Sequence, residues 1–223
     1  MTTLNNLKAF IFDMDGLLFS TEQISLSTFV SACRECRFEP DLNVYYRCIG
    51  TNSVKTKQIF TEGYGPDFPY QKIYNIWIEK YNLEALSKPL PLKPGALSLL
   101  HYLEKRSLKK AVVTSSRHQN AVTKLTNAEI LPFFEFVLGG DEVLNGKPDP
   151  EIYLTACRRL GMQPGQCMVF EDSDNGVLSA HKAGLKVIQV PDLLAPSPEI
   201  RSIGHSILSS LVEVESLIKQ REI

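Results

Sequence analysis

The sequence has no long apolar run and no excess of charge of either sign. Its 24 basic and 25 acidic residues give a net charge of −1 over 223 residues, which argues against a nucleic-acid partner, because such proteins normally carry a basic stripe. No apolar run approaches the roughly 20 residues that span a bilayer. The opening residues MTTLNNLK lack the basic and apolar regions of a signal peptide. These absences predict a cytoplasmic protein with no membrane partner.

Cysteine is scarce and odd in number. Five cysteines predict reduced thiols rather than a disulfide framework. Cys33 and Cys36 form a CxxC, but no second pair or nearby histidine completes a zinc site. We expect them to be two thiols on one helix face.

What the sequence does contain is an acidic pair directly after a short apolar run. Residues 8–21 read KAFIFDMDGLLFST, and the run 9–12 predicts a buried strand of a parallel sheet. Asp13 and Asp15 are two residues apart, so they point to the same side at the carboxyl end of that strand. An isolated pair of this kind is typical of an exposed acidic turn. The functional alternative is a nucleophile and an acid with a metal ion between them.

The rest of the chain predicts an α/β fold with a helical insertion. Residues 21–87 show helical periodicity, with helices predicted over 21–37, 44–49, 53–60 and 70–81. The segment 88–95, KPLPLKPG, predicts a stiff linker. Beyond it strands and helices alternate, which predicts a parallel sheet with helices on both faces. We therefore predict a core domain of residues 1–17 and 89–223 and an inserted helical domain of residues 18–88.

Three further polar motifs follow predicted strands. VVTSS places Thr114 and Ser115 at a helix start, GKPDP presents Lys147, and FEDSDNG presents Glu171 and Asp172. Taken singly they are typical of a helix N-cap, a surface lysine and an acidic helix start. Together, at the carboxyl ends of successive strands, they supply the groups that phosphoryl transfer needs.

The four motifs DMDGLL, VVTSS, GKPDP and FEDSDNG together resemble the haloacid dehalogenase superfamily, and almost the whole chain matches its pattern. The helical insertion is similar to the cap of the β-phosphoglucomutase-like subgroup. The resemblance implies a Rossmann-like parallel sheet core with an inserted all-helical cap domain. It also implies an enzyme that works through an aspartyl-phosphate intermediate.

The resemblance implies a role for each residue of the four motifs. Asp13 is the expected nucleophile, and Asp15 the expected proton donor to the leaving group and later the activator of water. Thr114, Ser115 and Lys147 are expected to hold the phosphoryl oxygens.

The expected cofactor is Mg²⁺. The carboxylates of Asp13 and Asp172, the backbone carbonyl of Asp15 and the nearby Glu171 are its expected ligands. The ion would offset the repulsion between the nucleophile and the substrate phosphate.

Specificity is expected to come from the cap. The turn after residue 49 resembles the cap loop that faces the active site in relatives, which makes Gly50, Thr51, Asn52, Ser53 and Lys55 candidates for substrate recognition. Each of them singly is also typical of a polar helix start.

Three departures from the family pattern bear on the reaction. Ser20 stands where relatives usually have an aspartate near the cap hinge. Ser25 and Ser53 stand where β-phosphoglucomutases have a histidine and an arginine, and Lys55 offers only a point charge in place of that arginine. The differences at Ser25 and Ser53 favour hydrolysis over mutase chemistry, whereas Ser20 bears on the gating of the cap.

The sequence therefore predicts a Mg²⁺-dependent phosphatase for a small phosphorylated metabolite, a sugar phosphate or a nucleoside monophosphate. The alternative is a phosphohexomutase of the β-phosphoglucomutase type. A third alternative is a non-catalytic protein that binds a phosphate ligand. We expect a monomer or a weak homodimer.

Overall fold

The structure, a computed structural model, describes residues 6–220. Two parts of the predicted core domain lie outside the described residues, namely residues 1–5 and residues 221–223. Residues 1–5 are part of the segment in which no signal peptide is predicted. Six parallel strands form one sheet in the order β3-β2-β1-β4-β5-β6. They are β1 (Ala9–Phe12), β2 (Lys109–Val113), β3 (Phe136–Leu138), β4 (Cys167–Glu171), β5 (Lys186–Gln189) and β6 (Ser206–Ile207).

Ten α-helices are distributed between the insertion and the connections of the sheet within the described residues. The insertion holds α1 (Thr21–Glu35), α2 (Leu42–Tyr46), α3 (Ser53–Tyr64) and α4 (Tyr70–Ala85). The remainder are α5 (Ala96–Glu104), α6 (His118–Asn127), α7 (Glu151–Leu160), α8 (Asp174–Lys182), α9 (Pro198–Arg201) and α10 (Leu211–Gln220). None of the helices in residues 6–220 is long and apolar enough to cross a bilayer.

The strand β1 is buried on both faces, which explains why its sequence is apolar without alternation. Phe10 and Phe12 pack into a cluster with α5, α6 and α10. Ala9 and Ile11 point the other way, into a cluster with α7 and α8. The predicted α/β class, a Rossmann-like parallel sheet with helices on both faces, is confirmed.

The inserted helices have an apolar cluster of their own, built from aromatic rings. Phe29 on α1 is fully buried and contacts Tyr45, Phe60 and Trp77 at ring-centroid distances of 4.9, 5.1 and 5.2 Å. Leu18 and Phe19 belong instead to the cluster under the sheet. The predicted boundaries at 17/18 and 88/89 stay a prediction.

Two predicted elements differ from the structure because local caps were missed. The helix predicted over 44–49 is α2 (Leu42–Tyr46), which begins earlier because the Asp41 side chain accepts a hydrogen bond from the Asn43 N–H. The Pro/Ser-rich segment 192–204, for which the sequence predicts a loop, contains α9. There Ser197 caps α9 by accepting from the Ile200 N–H at 3.4 Å. The remaining boundaries differ by about one helical turn at most.

The five cysteines are all unpaired, as predicted. Cys33 is fully buried in the aromatic cluster, and Cys36 lies directly after the last residue of α1. Cys33 therefore lies within α1, whereas Cys36 is its cap residue, so the expected placement of both thiols on one helix face is not what the structure shows.

We expect Phe29→Ala to loosen the insertion before the sheet. Removal of a fully buried ring costs about 3–5 kcal/mol, and here the loss falls on a cluster made by the inserted helices. Trp77, the sole tryptophan of the sequence, should report that loss by fluorescence at lower urea than far-UV circular dichroism reports the core. The control is Val54→Ala, because Val54 lies on α3 and is 78% exposed. It should leave the fluorescence and circular dichroism transitions unchanged. Coincident transitions in Phe29→Ala would contradict the expectation.

Candidate active site

Asp13 lies at the centre of the carboxyl edge of the sheet. It follows β1, which runs between β2 and β4, and its N–H still pairs with the Phe170 carbonyl at 3.0 Å. The side chain is 6% exposed. In open α/β sheets this edge, at the point where the strand order reverses, is where ligands bind.

Lys147 is buried behind Asp13 and links two carboxylates. Its side chain is 1% exposed, and Nζ donates to Asp13 Oδ1 and to Glu171 Oε1, both at 2.6 Å, and to the Val113 carbonyl at 3.2 Å. Although burial alone would lower it, the pKa of Lys147 is raised by the charges of Asp13 and Glu171. The alternative of a solvated surface lysine does not describe this residue.

Glu171 is held in one orientation by donors on both oxygens. Oε1 accepts from Lys147 and from the Tyr153 hydroxyl at 2.6 Å, and Oε2 accepts from the Asp172 and Ser173 N–H groups at 3.1 and 3.3 Å. Gly176 packs against this carboxylate so closely that a Cβ there would lie 1.9 Å from it. A fixed, fully buried carboxylate is therefore part of the floor of the site.

Three carboxylates form a cluster that fits a hard cation. Oxygen atoms of Asp13, Glu171 and Asp172 all lie within 4.8 Å of one another. Burial raises the pKa of Asp13 to about 8 despite the opposing charge of Lys147. Burial and the charge of Asp13 raise the pKa of Asp172. An oxygen-only donor set with more negative charge than Lys147 can offset is the chemistry that Mg²⁺ requires.

The Asp15 side chain points away from this cluster toward a separate set of donors. Its Oδ1 accepts from Lys124 Nζ at 2.6 Å and from Thr21 Oγ1 at 2.7 Å. Its Oδ2 accepts from Ser116 Oγ at 2.7 Å and from Thr114 Oγ1 at 3.5 Å. Burial alone would raise the pKa of Asp15, but the Lys124 charge and these hydrogen bonds lower it.

Thr114 and Ser115 occupy the turn between β2 and α6. Thr114 Oγ1 accepts from the Ser116 N–H at 3.0 Å, while Ser115 Oγ donates to the Gly50 carbonyl at 2.9 Å. Ser115 therefore joins the core to the inserted helices. Both residues line the same cavity as Asp13 and Asp15.

A cavity of about 490 Å³ lies between the strand ends and the inserted helices. Seven predicted site residues line it: Asp13, Asp15, Gly50, Thr51, Ser53, Thr114 and Ser115. The predicted residues Asn52, Lys55, Lys147, Glu171 and Asp172 do not. The opposite wall is largely aromatic, formed by Tyr45, Tyr74, Trp77 and Tyr81.

The predicted cap loop divides into residues that face the core and residues that do not. Gly50 has φ +74° and approaches Ser173 so closely that a Cβ would lie 2.4 Å from its Oγ. Asn52 caps α3 by accepting from the Lys55 N–H at 3.0 Å. The Lys55 ammonium is exposed and donates to Gln58 Oε1 at 3.1 Å. Lys55 therefore does not line the cavity.

Sequence reasoning missed the donors around Asp15. Lys124, from α6, has a fully buried side chain, and Tyr81, from α4, is its second acceptor at 2.6 Å. Periodicity offered one signal, because Lys124 falls between Ala121 and Leu125 on the buried face of its helix. Nothing in the sequence alone indicated that this lysine pairs with Asp15 across 109 positions.

Glu22 is a second residue that the motifs did not identify. It lies in the first turn of α1, one residue after Thr21, and lines the cavity. Burial, and then the charge of Asp15, raise the pKa of Glu22 to about 8. An unusual carboxyl group therefore faces the space beside Asp15.

Ser20 precedes α1 and is exposed. Its side chain makes no capping hydrogen bond to that helix. The position where relatives usually have an aspartate thus contributes no contact to the donors around Asp15, which come from Thr21 onward.

A parallel α/β sheet with a buried carboxylate–lysine cluster at its carboxyl edge and a helical insertion above it defines a class of phosphoryl-transferring enzymes. Comparison with known proteins is more specific. Residues 10–190 match the family described as haloacid dehalogenase-like hydrolase. The chain belongs to this family, and it is a phosphoric monoester hydrolase.

Two relatives and two solved structures illustrate the similarity. A Drosophila melanogaster protein named probable pseudouridine-5′-phosphatase is 32% identical over 214 residues, 91% of this chain and 89% of its own. The phosphorylated carbohydrates phosphatase of Thermotoga maritima is 29% identical over 182 residues, 82% of this chain and 84% of its own.

The solved structures support the fold. A β-phosphoglucomutase from Clostridium difficile superposes with a TM-score of 0.80 at 19% identity over 96% of both chains. CbbY from Rhodobacter sphaeroides, in complex with phosphate, gives 0.77 at 24% identity over 93% of this chain and 96% of its own. At these identities the likeness extends to the fold, including an inserted cap.

We expect Glu22→Gln to change how stability depends on pH. A carboxyl group whose pKa is raised on folding keeps its proton in the native state at pH values where it has already ionised in the unfolded state. The free energy of unfolding therefore falls as pH rises from about 4.5 to about 8. The variant lacks that loss. Measured by thermal unfolding in the absence of divalent metal, its Tm relative to wild type should rise by a few degrees across this window.

The matched control is Glu84→Gln, which removes an exposed carboxyl of α4. Its Tm difference from wild type should be constant with pH. A flat difference for Glu22→Gln as well would show that Glu22 is ionised in the folded protein at neutral pH.

Proposed function

We propose that the protein is a Mg²⁺-dependent phosphatase that transfers the phosphoryl group of a small metabolite to Asp13 and then to water. The observation that carries this proposal is the Asp13 carboxyl group at the floor of a substrate-sized cavity, bonded to a buried lysine and surrounded by further carboxylates. Such a site supplies a nucleophile, charge compensation and a place for the substrate.

Asp13 is the nucleophile in this proposal. Lys147 holds its Oδ1, and Oδ2 accepts no hydrogen bond from the described residues. One oxygen is thus anchored and the other is available for attack on phosphorus. The attack forms the aspartyl-phosphate as the bond from phosphorus to the leaving oxygen breaks.

The carboxylates of Asp13 and Asp172, with Glu171 beside them and the Asp15 carbonyl, would hold Mg²⁺. When bound, the ion supplies positive charge that offsets the repulsion between the nucleophile and the phosphate. The raised pKa values of Asp13 and Asp172 support this assignment, because they indicate negative charge that Lys147 alone does not compensate.

Phosphate oxygens would be held by the turn after β2 and by Lys147. Thr114 offers a hydroxyl and Ser115 an N–H group in the turn that leads into α6, and an anion is favoured near the N-terminus of a helix. Lys147 adds an ammonium group beside Asp13. It would bind the phosphoryl oxygens as the phosphoryl group is transferred to Asp13.

Asp15 would move the protons. Its donors stabilise the carboxylate, so the free site holds the form that takes a proton from water in the second step. A bound phosphate dianion next to Asp15 raises the pKa of this carboxyl by like-charge repulsion. That favours the protonated form when the leaving oxygen needs a proton.

The wall formed by the inserted helices selects the substrate. It combines aromatic rings with the polar groups of Ser25, Thr51 and Ser53, which suits a ring that carries hydroxyl groups. A sugar phosphate or a nucleoside monophosphate fits this description, and the names of the two relatives point to the same two classes.

The phosphohexomutase alternative lacks support from the cavity. Ser25 Oγ accepts from the Tyr45 hydroxyl at 2.9 Å, so this position offers no imidazole to help a sugar hydroxyl attack. With β-glucose 1-phosphate, Mg²⁺ and a trace of sugar bisphosphate, we expect free phosphate to form faster than glucose 6-phosphate. The reverse order would favour the mutase.

The experiment that tests the proposal is a phosphate-release screen of about a hundred metabolites with Mg²⁺ and with chelator. Wild type should release phosphate from several sugar or nucleoside phosphates, and the chelator should abolish the release. Asp13→Asn should lower the rate at least about a thousandfold while circular dichroism stays unchanged.

The matched control is Asp67→Asn, an exposed aspartate of the insertion, which should keep the wild-type rate. If wild type and Asp13→Asn were equally inactive across the whole panel, a non-catalytic phosphate-binding role would replace this proposal.

A further inference from the structure

Lys124 occupies an uncommon position for a lysine. It lies in the second half of α6, and its side chain is fully buried. A buried ammonium is tolerated only where partners replace its water shell. Lys124 has two acceptors at short range, Asp15 Oδ1 and the Tyr81 hydroxyl, each at 2.6 Å. It also lies 5.0 Å from the centre of the Tyr81 ring.

The two oxygens of Asp15 have different surroundings. Oδ1 receives Lys124 and Thr21, with the Tyr81 hydroxyl at 3.5 Å. These three groups come from the core helix α6 and from the two ends of the insertion, α1 and α4. They hold Oδ1 with an ammonium and two hydroxyls, which together fix the plane of the carboxyl group.

Oδ2 faces the other direction. It contacts the hydroxyls of Ser116 and Thr114, which belong to the turn proposed to hold the phosphate and which line the cavity. Hydroxyls can reorient and can give way to a substrate oxygen more easily than a buried ammonium can. Oδ2 is therefore the oxygen with access to the reacting atoms.

From this asymmetry we propose that Lys124 is a positioning residue for Asp15, which anchors Oδ1 together with Tyr81 so that Oδ2 alone exchanges protons with the leaving group and water. The inference rests on the proposed phosphatase function. In the first step the Oδ2 proton passes to the leaving oxygen as its bond to phosphorus breaks. In the second step water attacks the phosphorus of the aspartyl-phosphate and gives a proton to Oδ2, while the bond from phosphorus to the Asp13 oxygen breaks and inorganic phosphate is released.

A positioning role differs from a purely structural one in its dependence on the leaving group. Phenyl phosphate and p-nitrophenyl phosphate have nearly the same shape, but the phenolate leaves poorly without a proton and the nitrophenolate leaves well. A misplaced acid therefore harms the first substrate more. General acid–base assistance contributes roughly 10²–10⁴-fold, which sets the scale of the effect.

The experiment measures kcat/KM for both aryl phosphates with saturating Mg²⁺, because this constant reports the step in which the leaving group departs. Lys124→Met should lose about a hundredfold on phenyl phosphate and about tenfold on p-nitrophenyl phosphate, so that the ratio changes by about tenfold. Lys124→Arg, which keeps the charge, should recover part of the ratio. Tyr81→Phe, which keeps the ring, should change the ratio in the same direction by about threefold.

The matched control is Lys110→Met. Lys110 is a buried lysine of β2 that is 5% exposed and donates to the Leu108 carbonyl away from the cavity. Its variant should leave the ratio of the two substrates at the wild-type value, whatever it does to stability.

Three results would overturn the inference, and they are distinguishable. Equal losses on both substrates in Lys124→Met would make Lys124 structural. If Lys124→Met failed to fold, the other two variants would decide. The wild-type ratio of the two kcat/KM values in both Tyr81→Phe and Lys124→Arg would then overturn the inference. If wild type hydrolysed neither aryl phosphate nor any metabolite of the screen, the proposed function itself would fail first.

Discussion

The pairing of one buried ammonium with several buried carboxylates is the interaction on which this site depends. Lys147 binds Asp13 and Glu171 at 2.6 Å each, and Asp172 lies within 4.8 Å of both carboxylates. Three carboxyl groups and one lysine leave uncompensated negative charge in a place that water hardly reaches. The raised pKa values of Asp13 and Asp172 express this excess. A cation is the natural partner of such a site, because it offsets this negative charge.

The fold explains how such distant residues meet. β1 lies in the middle of the sheet, so the residue after it is adjacent to the ends of both β2 and β4. Asp13 thereby meets Thr114 from one neighbour and Glu171 from the other. The inserted helices close the space above them, because Ser115 donates to the Gly50 carbonyl and Asn175 donates to the Ile49 carbonyl at 2.9 Å each. The same contacts make the cavity and define its substrate-facing wall.

Much of this arrangement could be predicted because it is local. The apolar run of β1, the acidic pair after it and the proline-rich linker are each readable within about ten residues, and together with parallel topology they place the strand-end motifs at one edge. The cap of α9 by Ser197 was missed because serine and proline also mark loops. Lys124 and Glu22 were missed because their meaning depends on partners that tertiary packing brings together. Lys124 meets Asp15 only when α6 packs beside the end of α4.

In the proposed mechanism Asp13 carries the phosphoryl group during turnover. Its most direct measurement is acid quenching of wild type in the presence of substrate and Mg²⁺, followed by peptide mapping for an acid-stable, base-labile phosphoryl group. We expect a phosphoryl group on the peptide that contains Asp13, and none on that peptide in Asp13→Asn. A phosphoryl group on another residue, or turnover in Asp13→Asn at the wild-type rate, would contradict it.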